Sequence, residues 1–195
     1  MTVTLTSAID VRTRRAPSRV VFGPHETNLG QLRAVSGKHA AYYARRARGG
    51  SGLIVIETAS VHPSDWPYER APLAADCATG WSATAAACHA HGALVVASIG
   101  HAGLQGSSAF SQHALWAPSP VPDPATREMP MVMGPAEIEL LLAGFAEAAL
   151  SLPGRREPPR PGQDHSHRGR RVALGMPSLR VPAKPCDSSP LAAAR

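Results

Sequence analysis

The sequence changes character near Leu150, and this change limits the part of the chain that can form a core to residues 1–150. Residues 1–150 hold eleven basic and eleven acidic residues, whereas residues 151–195 hold nine basic and three acidic residues and eight of the 19 prolines. The formal charge of +6 therefore arises entirely in the last 45 residues. Such a segment cannot bury enough apolar surface to offset the entropy of ordering, and we predict that it is disordered.

The basic tail raises the question of nucleic-acid or acidic-membrane partners. Its charges stand in a segment predicted to be disordered rather than on a folded face, so we expect no nucleic-acid binding. No apolar stretch reaches the roughly 18 residues of a membrane span, and the first 15 residues lack the apolar centre of a signal peptide. We therefore expect a cytoplasmic protein without membrane contact.

The cysteines and histidines give no metal-site pattern. Cys77, Cys88 and Cys186 lack paired spacing and are too few for a disulfide framework, so we expect the first two to be small core residues. His89 and His91 stand two positions apart on a predicted helix and therefore face different directions. We predict no metal.

Residues 1–150 alternate strand and helix signals three times. The second predicted strand, LIVIE, is nearly all apolar, which is typical of a strand buried on both faces. Ser36 is the predicted N-cap of the first helix, and Pro135 is a good first-turn residue for the last one. A repeated strand–helix order implies parallel strands with right-handed crossovers, hence an α/β fold. The predicted strands are 19–24, 53–57 and 93–99, and the predicted helices are 36–48, 81–91 and one from 135 onward.

Two α/β architectures are compatible with this order. A doubly wound nucleotide-binding fold needs a glycine fingerprint directly after a strand, but Gly23 is followed by PHETNLG, which lacks G-x-G-x-x-G. The long polar loops after the second and third strands are typical of a TIM barrel, whose active site is built from such loops. We therefore predict a partial TIM (β/α)8 barrel, made of about three βα units within residues 1–150.

Five short runs stand in a fixed order along this region. They are RVVFGPHETNL at 19–29, YARRARGGSGLIVIET at 43–58, GHAG at 100–103, APS at 117–119 and GFAEAA at 144–149. Together they resemble the Old Yellow Enzyme family, in its larger NADH:flavin oxidoreductase and 2,4-dienoyl-CoA reductase branch. Within that branch, the chain is most similar to a bacterial subgroup associated with the peptide-derived redox cofactor mycofactocin.

The resemblance implies an oxidoreductase that binds FMN at the top of the barrel and takes electrons from NADH or NADPH. It implies an activated alkene or an enoyl-type compound as the hydride acceptor. A flavin accepts hydride at N5 and gains negative charge toward N1 and O2, so the protein must supply hydrogen bonds there. The positions that match the family's flavin contacts are Pro24, His25, Glu26, Thr58 and Ser98, and His101 is expected on the substrate side.

Two of these positions depart from the family pattern. Ser98 stands where relatives usually carry glutamine, and its single hydroxyl reaches less far than an amide. Glu26 stands where threonine, cysteine or histidine is common, and an ionised carboxylate there disfavours the reduced, anionic flavin. We therefore predict a lower flavin reduction potential than in the relatives.

The family elements expected downstream have no counterpart after Leu150. These are a fourth strand, the His/Asn or His/His substrate pair, a tyrosine proton donor, the FMN phosphate loop and the iron–sulfur cysteines. Three parallel strands alone leave an unpaired edge and an exposed apolar interior, which favour self-association. We expect a truncated relative of a flavin reductase that is inactive alone. The alternative is a noncatalytic fragment whose basic tail binds anions or a partner chain.

Overall fold

A computed structural model describes residues 2–152 of the chain. Apart from its first two positions, the segment predicted to be disordered lies outside the described residues. The described part alternates strands and helices, beginning with a hairpin that precedes the first predicted strand. In chain order the elements are β1 (Ile9–Val11), β2 (Arg14–Ala16), β3 (Val21–Phe22), α1 (Gly37–Arg48), β4 (Leu53–Ser60), α2 (Ala78–His89), β5 (Leu94–Gly100), α3 (Ser108–Ser111), β6 (Trp116–Ala117), β7 (Met131–Val132) and α4 (Pro135–Ser151).

The central sheet is parallel and has the order β3–β4–β5. Val21 pairs with Leu53, and Leu53 pairs with Leu94, so the three strands are in register at their amino ends. Helix α1 connects β3 to β4, and α2 connects β4 to β5. The predicted α/β class and βα order are confirmed, although β3 is shorter and β4 longer than the sequence indicates.

Helix α1 begins where the sequence predicts, because Ser36 caps its amino end. Ser36 Oγ accepts a hydrogen bond from Lys38 N at 3.2 Å, and His39 Nδ1 accepts one from Ser36 N at 2.9 Å. His39 therefore takes the position that glutamate or glutamine has in a capping box. His39, Tyr43 and Ala47 lie four residues apart and form the buried stripe of the helix.

Strand β4 contains an irregularity that changes which way its side chains face. Val55 pairs with Val96 and Thr58 pairs with Ser98, so β4 uses one residue more than β5 between these two pairs. A β-bulge of this kind redirects the side chains that follow it. Ile56 and Glu57 are consequently both buried, although adjacent residues of a regular strand face opposite sides of the sheet.

Helix α4 approaches the end of β4 closely. Pro135 is its first residue, as predicted, and Glu137 Oε2 accepts a hydrogen bond from Gly134 N at 2.8 Å at the start of the helix. A methyl group added at Gly144 would lie 2.4 Å from the carbonyl oxygen of Val61. The absence of a side chain at this position therefore lets the helix backbone pack directly on the chain that leaves β4.

Two features of the fold were not predicted from the sequence. Strands β1 and β2 form an antiparallel hairpin, and Ser18 behind it donates a hydrogen bond to Gly50 O at 2.6 Å, at the amino-terminal edge of the sheet. The long polar loop predicted after the third strand contains helix α3 and the parallel pair of β6 and β7. Treating that whole region as loop was therefore wrong, because four-residue and two-residue elements have no readable periodicity.

The two cysteines within the described residues are core residues, as predicted. Cys77 and Cys88 are buried and free. Burial raises the pKa of the Cys88 thiol to about 11 and that of Cys77 to about 12, so both are inert thiols near neutral pH. In residues 2–152, none of the helices has the length and apolarity needed to cross a membrane.

Candidate active site

A cavity of about 620 Å³ opens at the carboxyl-terminal edge of the sheet, between the segments that follow β3, β4 and β5. Its volume lies within the range of about 300–1,000 Å³ that is typical of small-molecule and cofactor sites. All the positions that the family resemblance assigns to flavin contact or to the substrate side lie at this cavity. Their contact with a ligand stays a prediction. The cavity is lined by Pro24, His25, Glu26, Thr58, Ser98 and His101, among others.

The floor of the cavity carries two hydroxyl groups. Thr58 and Ser98 are paired in register on β4 and β5, and their side-chain oxygens lie 2.9 Å apart. The bulge in β4 turns Thr58 toward the cavity. Two adjoining hydroxyls can donate and accept hydrogen bonds, so they can serve a ligand edge that presents both kinds of group.

One wall is formed by the segment after β3, which α1 supports from behind. His25 Nε2 and the Tyr42 hydroxyl share a hydrogen bond of 2.7 Å, and the His25 ring packs edge-on against Phe22. The guanidinium of Arg46 lies over the ring of Tyr42, 3.2 Å from its centre. The orientation of His25 is therefore set by helix α1, whereas the exposed Glu26 beside it has no such support.

A buried carboxylate lies behind the cavity, on the helix side of β4. Glu57 is 0% exposed and accepts hydrogen bonds from Thr27 N at 3.1 Å, from Thr27 Oγ1 and the Tyr68 hydroxyl at 2.5 Å, and from His39 Nε2. The backbone N–H of the same glutamate donates to the Tyr43 hydroxyl at 2.8 Å. These donors come from the loop after β3, from α1 and from the loop after β4. Glu57 thus joins three separate segments around one side chain.

The protonation states of this cluster follow from its hydrogen bonds. His39 Nδ1 accepts from Ser36 N, so the ring proton is on Nε2 and the imidazole is neutral while it donates to Glu57. Burial alone would raise the pKa of Glu57, but the hydrogen bonds from His39, Thr27 and Tyr68 outweigh it and the pKa is lowered. Burial, with the hydrogen bond to Glu57, raises the pKa of Tyr68. The carboxylate is therefore ionised and the phenol protonated at neutral pH.

The loop after β4 is organised by an arginine that sequence reasoning missed. The Arg33 guanidinium donates to Ala71 O at 3.2 Å and to Asp65 O at 2.7 Å, and it lies over the Trp66 ring, 4.3 Å from its centre. Trp66 Nε1 in turn donates to Glu69 O at 3.0 Å. Trp66 is therefore a loop anchor. A lone arginine in a predicted loop gives no sequence signal of this role.

The loops after β4 and β5 meet around Trp116. The His62 ring stacks on Trp116 with centres 4.5 Å apart, and the His101 ring lies 6.2 Å from it in a near-parallel orientation. Asp65 is 2% exposed and borders the same cavity as His101. Burial lowers the pKa of His101, although the nearby Asp65 carboxylate acts in the opposite direction. His101 is therefore neutral near pH 7.

Two relatives match most of the chain but only a part of their own length. A protein named metal reductase from Desulforamulus reducens is 31% identical over 146 residues, which are 74% of this chain and 22% of that protein. An NADH oxidase from Thermoanaerobacter brockii is 33% identical over 142 residues, which are 70% of this chain and 22% of that protein. No protein-family model matches the chain.

Two solved oxidoreductase structures have a fold similar to that of the chain. A 2-naphthoyl-CoA reductase in complex with 2-naphthoyl-CoA has a TM-score of 0.70 and 21% identity, over 75% of this chain and 25% of that one. An Old Yellow Enzyme homologue from Zymomonas mobilis has a TM-score of 0.66 and 22% identity, over 77% of this chain and 47% of that one.

The matches have consequences for both fold and family. Because the chain covers only part of each matched α/β barrel, the predicted partial TIM barrel is confirmed. The subgroup within the family stays a prediction. The order of the five sequence runs, the two oxidoreductase relatives and the shared fold agree with one another. The predicted resemblance is confirmed in this form: the chain is similar in sequence to a metal reductase and an NADH oxidase, and it shares its fold with an Old Yellow Enzyme homologue.

Proposed function

We propose that this chain forms part of an FMN-dependent NAD(P)H oxidoreductase and supplies the side of the flavin site formed by β3, β4 and β5. The observation that carries the proposal is the single cavity shared by Pro24, His25, Glu26, Thr58 and Ser98. The two oxidoreductase relatives, a metal reductase and an NADH oxidase, support this choice of chemistry. The proposed acceptor is an activated alkene or an enoyl-type compound.

The residues of the cavity fit a flat, partly polar cofactor. Thr58 and Ser98 offer adjoining hydroxyls on the floor, and Pro24 offers a surface without a backbone N–H. Gly100 borders the cavity beside them, and a methyl group there would lie 2.9 Å from Thr58 Cγ2. When bound, FMN supplies hydride transfer at its N5 atom. The two hydroxyls would hold the polar edge of the ring system, and the small residues would let it approach the strands.

Glu26 gives this site an electrostatic character of its own. Its side chain is exposed at the cavity wall, and its carboxylate opposes the negative charge that a flavin gains on reduction. We therefore propose that Glu26→Gln raises the midpoint potential of the bound flavin relative to the unsubstituted chain. A redox titration checks this, and a potential that stays the same or falls in the variant would contradict it.

Titration of the full chain with FMN tests the flavin site, with flavin absorbance and fluorescence quenching as the readouts. We expect binding, and a loss of affinity of about tenfold in Thr58→Val combined with Ser98→Ala, because two hydrogen bonds are removed. Ser82→Ala on the outer face of α2 is the matched control, since its hydroxyl donates only to Ala78 O within the helix. Equal affinity of the double variant and the control would overturn the assignment.

Reduction of an acceptor is proposed only for an assembly that contains the rest of the barrel. The chain spans 22% of each sequence relative described above. In a TIM barrel the phosphate of a cofactor is held mainly by loops after strands seven and eight. Within the described residues only three strands of the central sheet are present, so we propose that the chain alone does not turn over NAD(P)H.

A second candidate is a noncatalytic chain that associates through its open edges. Within residues 2–152, β5 pairs only with β4, and the inner-face residue Val21 is 57% exposed. Helix α4 also exposes Leu140 and Leu142. Light scattering of the full chain tests this candidate, with self-association expected. Loss of binding to polyanions on deletion of residues 151–195 would test the proposed role of the basic tail.

A further inference from the structure

The ring of His25, at the wall of the cavity, packs against aromatic residues of β3 and α1. Its centre lies 5.4 Å from that of Phe22, in an edge-on arrangement, and 5.7 Å from that of Tyr42. Tyr42 in turn packs edge-on against Phe22 at 6.1 Å and against Tyr43 at 5.1 Å. This packing holds the Tyr42 hydroxyl 2.7 Å from His25 Nε2. Either group can donate in such a hydrogen bond, and its direction decides which nitrogen of the imidazole carries the proton.

A positive charge over the Tyr42 ring favours one direction of this hydrogen bond. The Arg46 guanidinium lies 3.2 Å from the centre of the ring, and its Nη1 donates to Tyr42 O at 2.8 Å, one helical turn earlier. Among the described residues, no carboxylate forms an ion pair with Arg46. A cation at this place draws electron density from the phenol, so the hydroxyl donates more strongly and accepts more weakly. Tyr42 is therefore the donor, and His25 Nε2 is the acceptor.

A neutral imidazole that accepts at Nε2 carries its proton on Nδ1. Within residues 2–152, the hydrogen bond to Tyr42 is the only one that the His25 side chain makes, so Nδ1 is available to a ligand. We propose that Tyr42 is a positioning residue that keeps the proton of His25 on Nδ1, from which it is donated to a carbonyl oxygen of the bound flavin. The inference rests on the proposed function, which places a flavin beside His25. A donor that is fixed in advance favours binding because it needs no reorganisation.

The tautomer of His25 can be measured without a ligand. ¹⁵N NMR of the full chain distinguishes protonated from unprotonated ring nitrogens, and His25→Phe assigns the signals. At about pH 8.5 histidine side chains are neutral and carry one ring proton each. We expect the proton of His25 on Nδ1. Tyr42→Phe keeps the ring but removes the donor, so we expect the form protonated on Nε2 to predominate, as it does for histidine free in water. An unsubstituted chain protonated on Nε2, or an unchanged tautomer in Tyr42→Phe, would overturn the inference.

Two further positions show whether the hydroxyl of Tyr42 and the charge of Arg46 are responsible. Tyr43→Phe is the matched control, because the Tyr43 hydroxyl accepts from Glu57 N at 2.8 Å, so we expect it to leave the tautomer of His25 unchanged. We expect Arg46→Gln to give a mixture of tautomers and Arg46→Lys, which keeps a positive charge, to retain the Nδ1 form. A shift in Tyr43→Phe as large as in Tyr42→Phe would overturn the role of the Tyr42 hydroxyl. A tautomer unaffected by Arg46→Gln would overturn the role of the charge.

Flavin binding tests whether Tyr42 acts through His25. We expect Tyr42→Phe to weaken the binding of FMN to the full chain about fivefold, because the donor on His25 is no longer fixed. In a chain that already carries His25→Phe, we expect Tyr42→Phe to have no further effect, since no ring nitrogen is left for it to position. The same loss of affinity in both backgrounds would mean that Tyr42 acts on the fold alone, and would overturn the inference.

Failure of this inference and failure of the proposed function give different results, because the NMR measurement needs no flavin. A chain that shows the expected tautomers but does not bind FMN would refute the proposed function and leave the control of the His25 tautomer by Tyr42 standing. A chain that binds FMN but carries the His25 proton on Nε2 would refute the inference and leave the proposed function standing.

Discussion

Two buried carboxylates of this molecule lie on neighbouring segments and differ in almost every contact. Glu57 on β4 is surrounded by four hydrogen-bond donors from three segments. Asp65, eight residues later, is as deeply buried and leaves an oxygen unpaired at the edge of the cavity. Burial alone therefore does not show how well a carboxylate is hydrogen-bonded. The number of donors that the chain itself provides does, and it separates Glu57 from Asp65.

The largest expected effect comes from removing the satisfied carboxylate. Glu57→Ala leaves the donors of Thr27, His39 and Tyr68 buried without an acceptor, and each unpaired donor costs about 1–3 kcal/mol. We expect the free energy of unfolding to fall by at least about 3 kcal/mol, measured by denaturant titration of the full chain. Glu69→Ala, at an exposed position of the following loop, should change it by less than about 0.5 kcal/mol. Similar losses in the free energy of unfolding for Glu57→Ala and Glu69→Ala would contradict the structural role of Glu57.

A smaller effect is expected from removing one donor to Glu57. Tyr68→Phe keeps the ring at the cavity wall and deletes only the hydroxyl that donates to Glu57 at 2.5 Å. A hydrogen bond to a charged group contributes about 1.5–3 kcal/mol, so we expect a destabilisation within that range. Urea unfolding measures it. A stability equal to that of the unsubstituted chain would mean that the remaining donors fully satisfy the carboxylate.

The pH dependence of stability tests whether the ionised Glu57 carboxylate stabilises the fold. Hydrogen bonds hold the pKa of Glu57 in the folded chain below its usual value of 4.5, despite burial, so its contribution is complete above pH 4.5. That contribution is lost as the pH falls through the folded-state pKa. We expect Glu57→Gln to have a shallower loss of stability below pH 4.5 than the unsubstituted chain. His62 and His101 also have lowered pKa values through burial, but they are present in both proteins and cancel in the difference.

The smallest expected effect on stability lies on the cavity floor. Thr58 is exposed, and its hydrogen bond to Ser98 is open to solvent. Thr58→Val keeps the side-chain shape, so we expect the free energy of unfolding to change by no more than about 0.5 kcal/mol. Thermal unfolding of the full chain measures it. A loss comparable to that of Tyr68→Phe would show that the floor also supports the fold.

The sequence predicts the parts of this structure that depend on local pattern. Ser36 caps α1 where the cap was predicted, and Pro135 begins α4, because both residues have strong positional preferences at helix starts. The grouping of Thr58 with Ser98 was expected from the family resemblance, and the parallel register of β4 and β5 accounts for it. Their contact with a flavin stays a prediction.

Other parts could not be predicted, for physical reasons. The β1–β2 hairpin turns at Arg12, which has a positive φ of 54° without being glycine or asparagine, so the usual turn signal is missing. The bulge in β4 could not be predicted, because LIVI, the run that leads into it, is apolar at every position and has no alternation to interrupt. The hydrogen-bond partners of Glu57 depend on contacts between distant segments, which no periodicity within one segment can indicate.

The extra residue in β4 lets this strand absorb the loss of one residue but not of two. If Ile56 alone were lost, the pairing would become regular and Thr58 would still lie opposite Ser98. If Val55 and Ile56 were both lost, every side chain after them would exchange sides, so that Glu57 would project a negative charge into the cavity floor and Thr58 would enter the space beside His39. A single deletion at the bulge should therefore be tolerated far better than a double deletion at the same place.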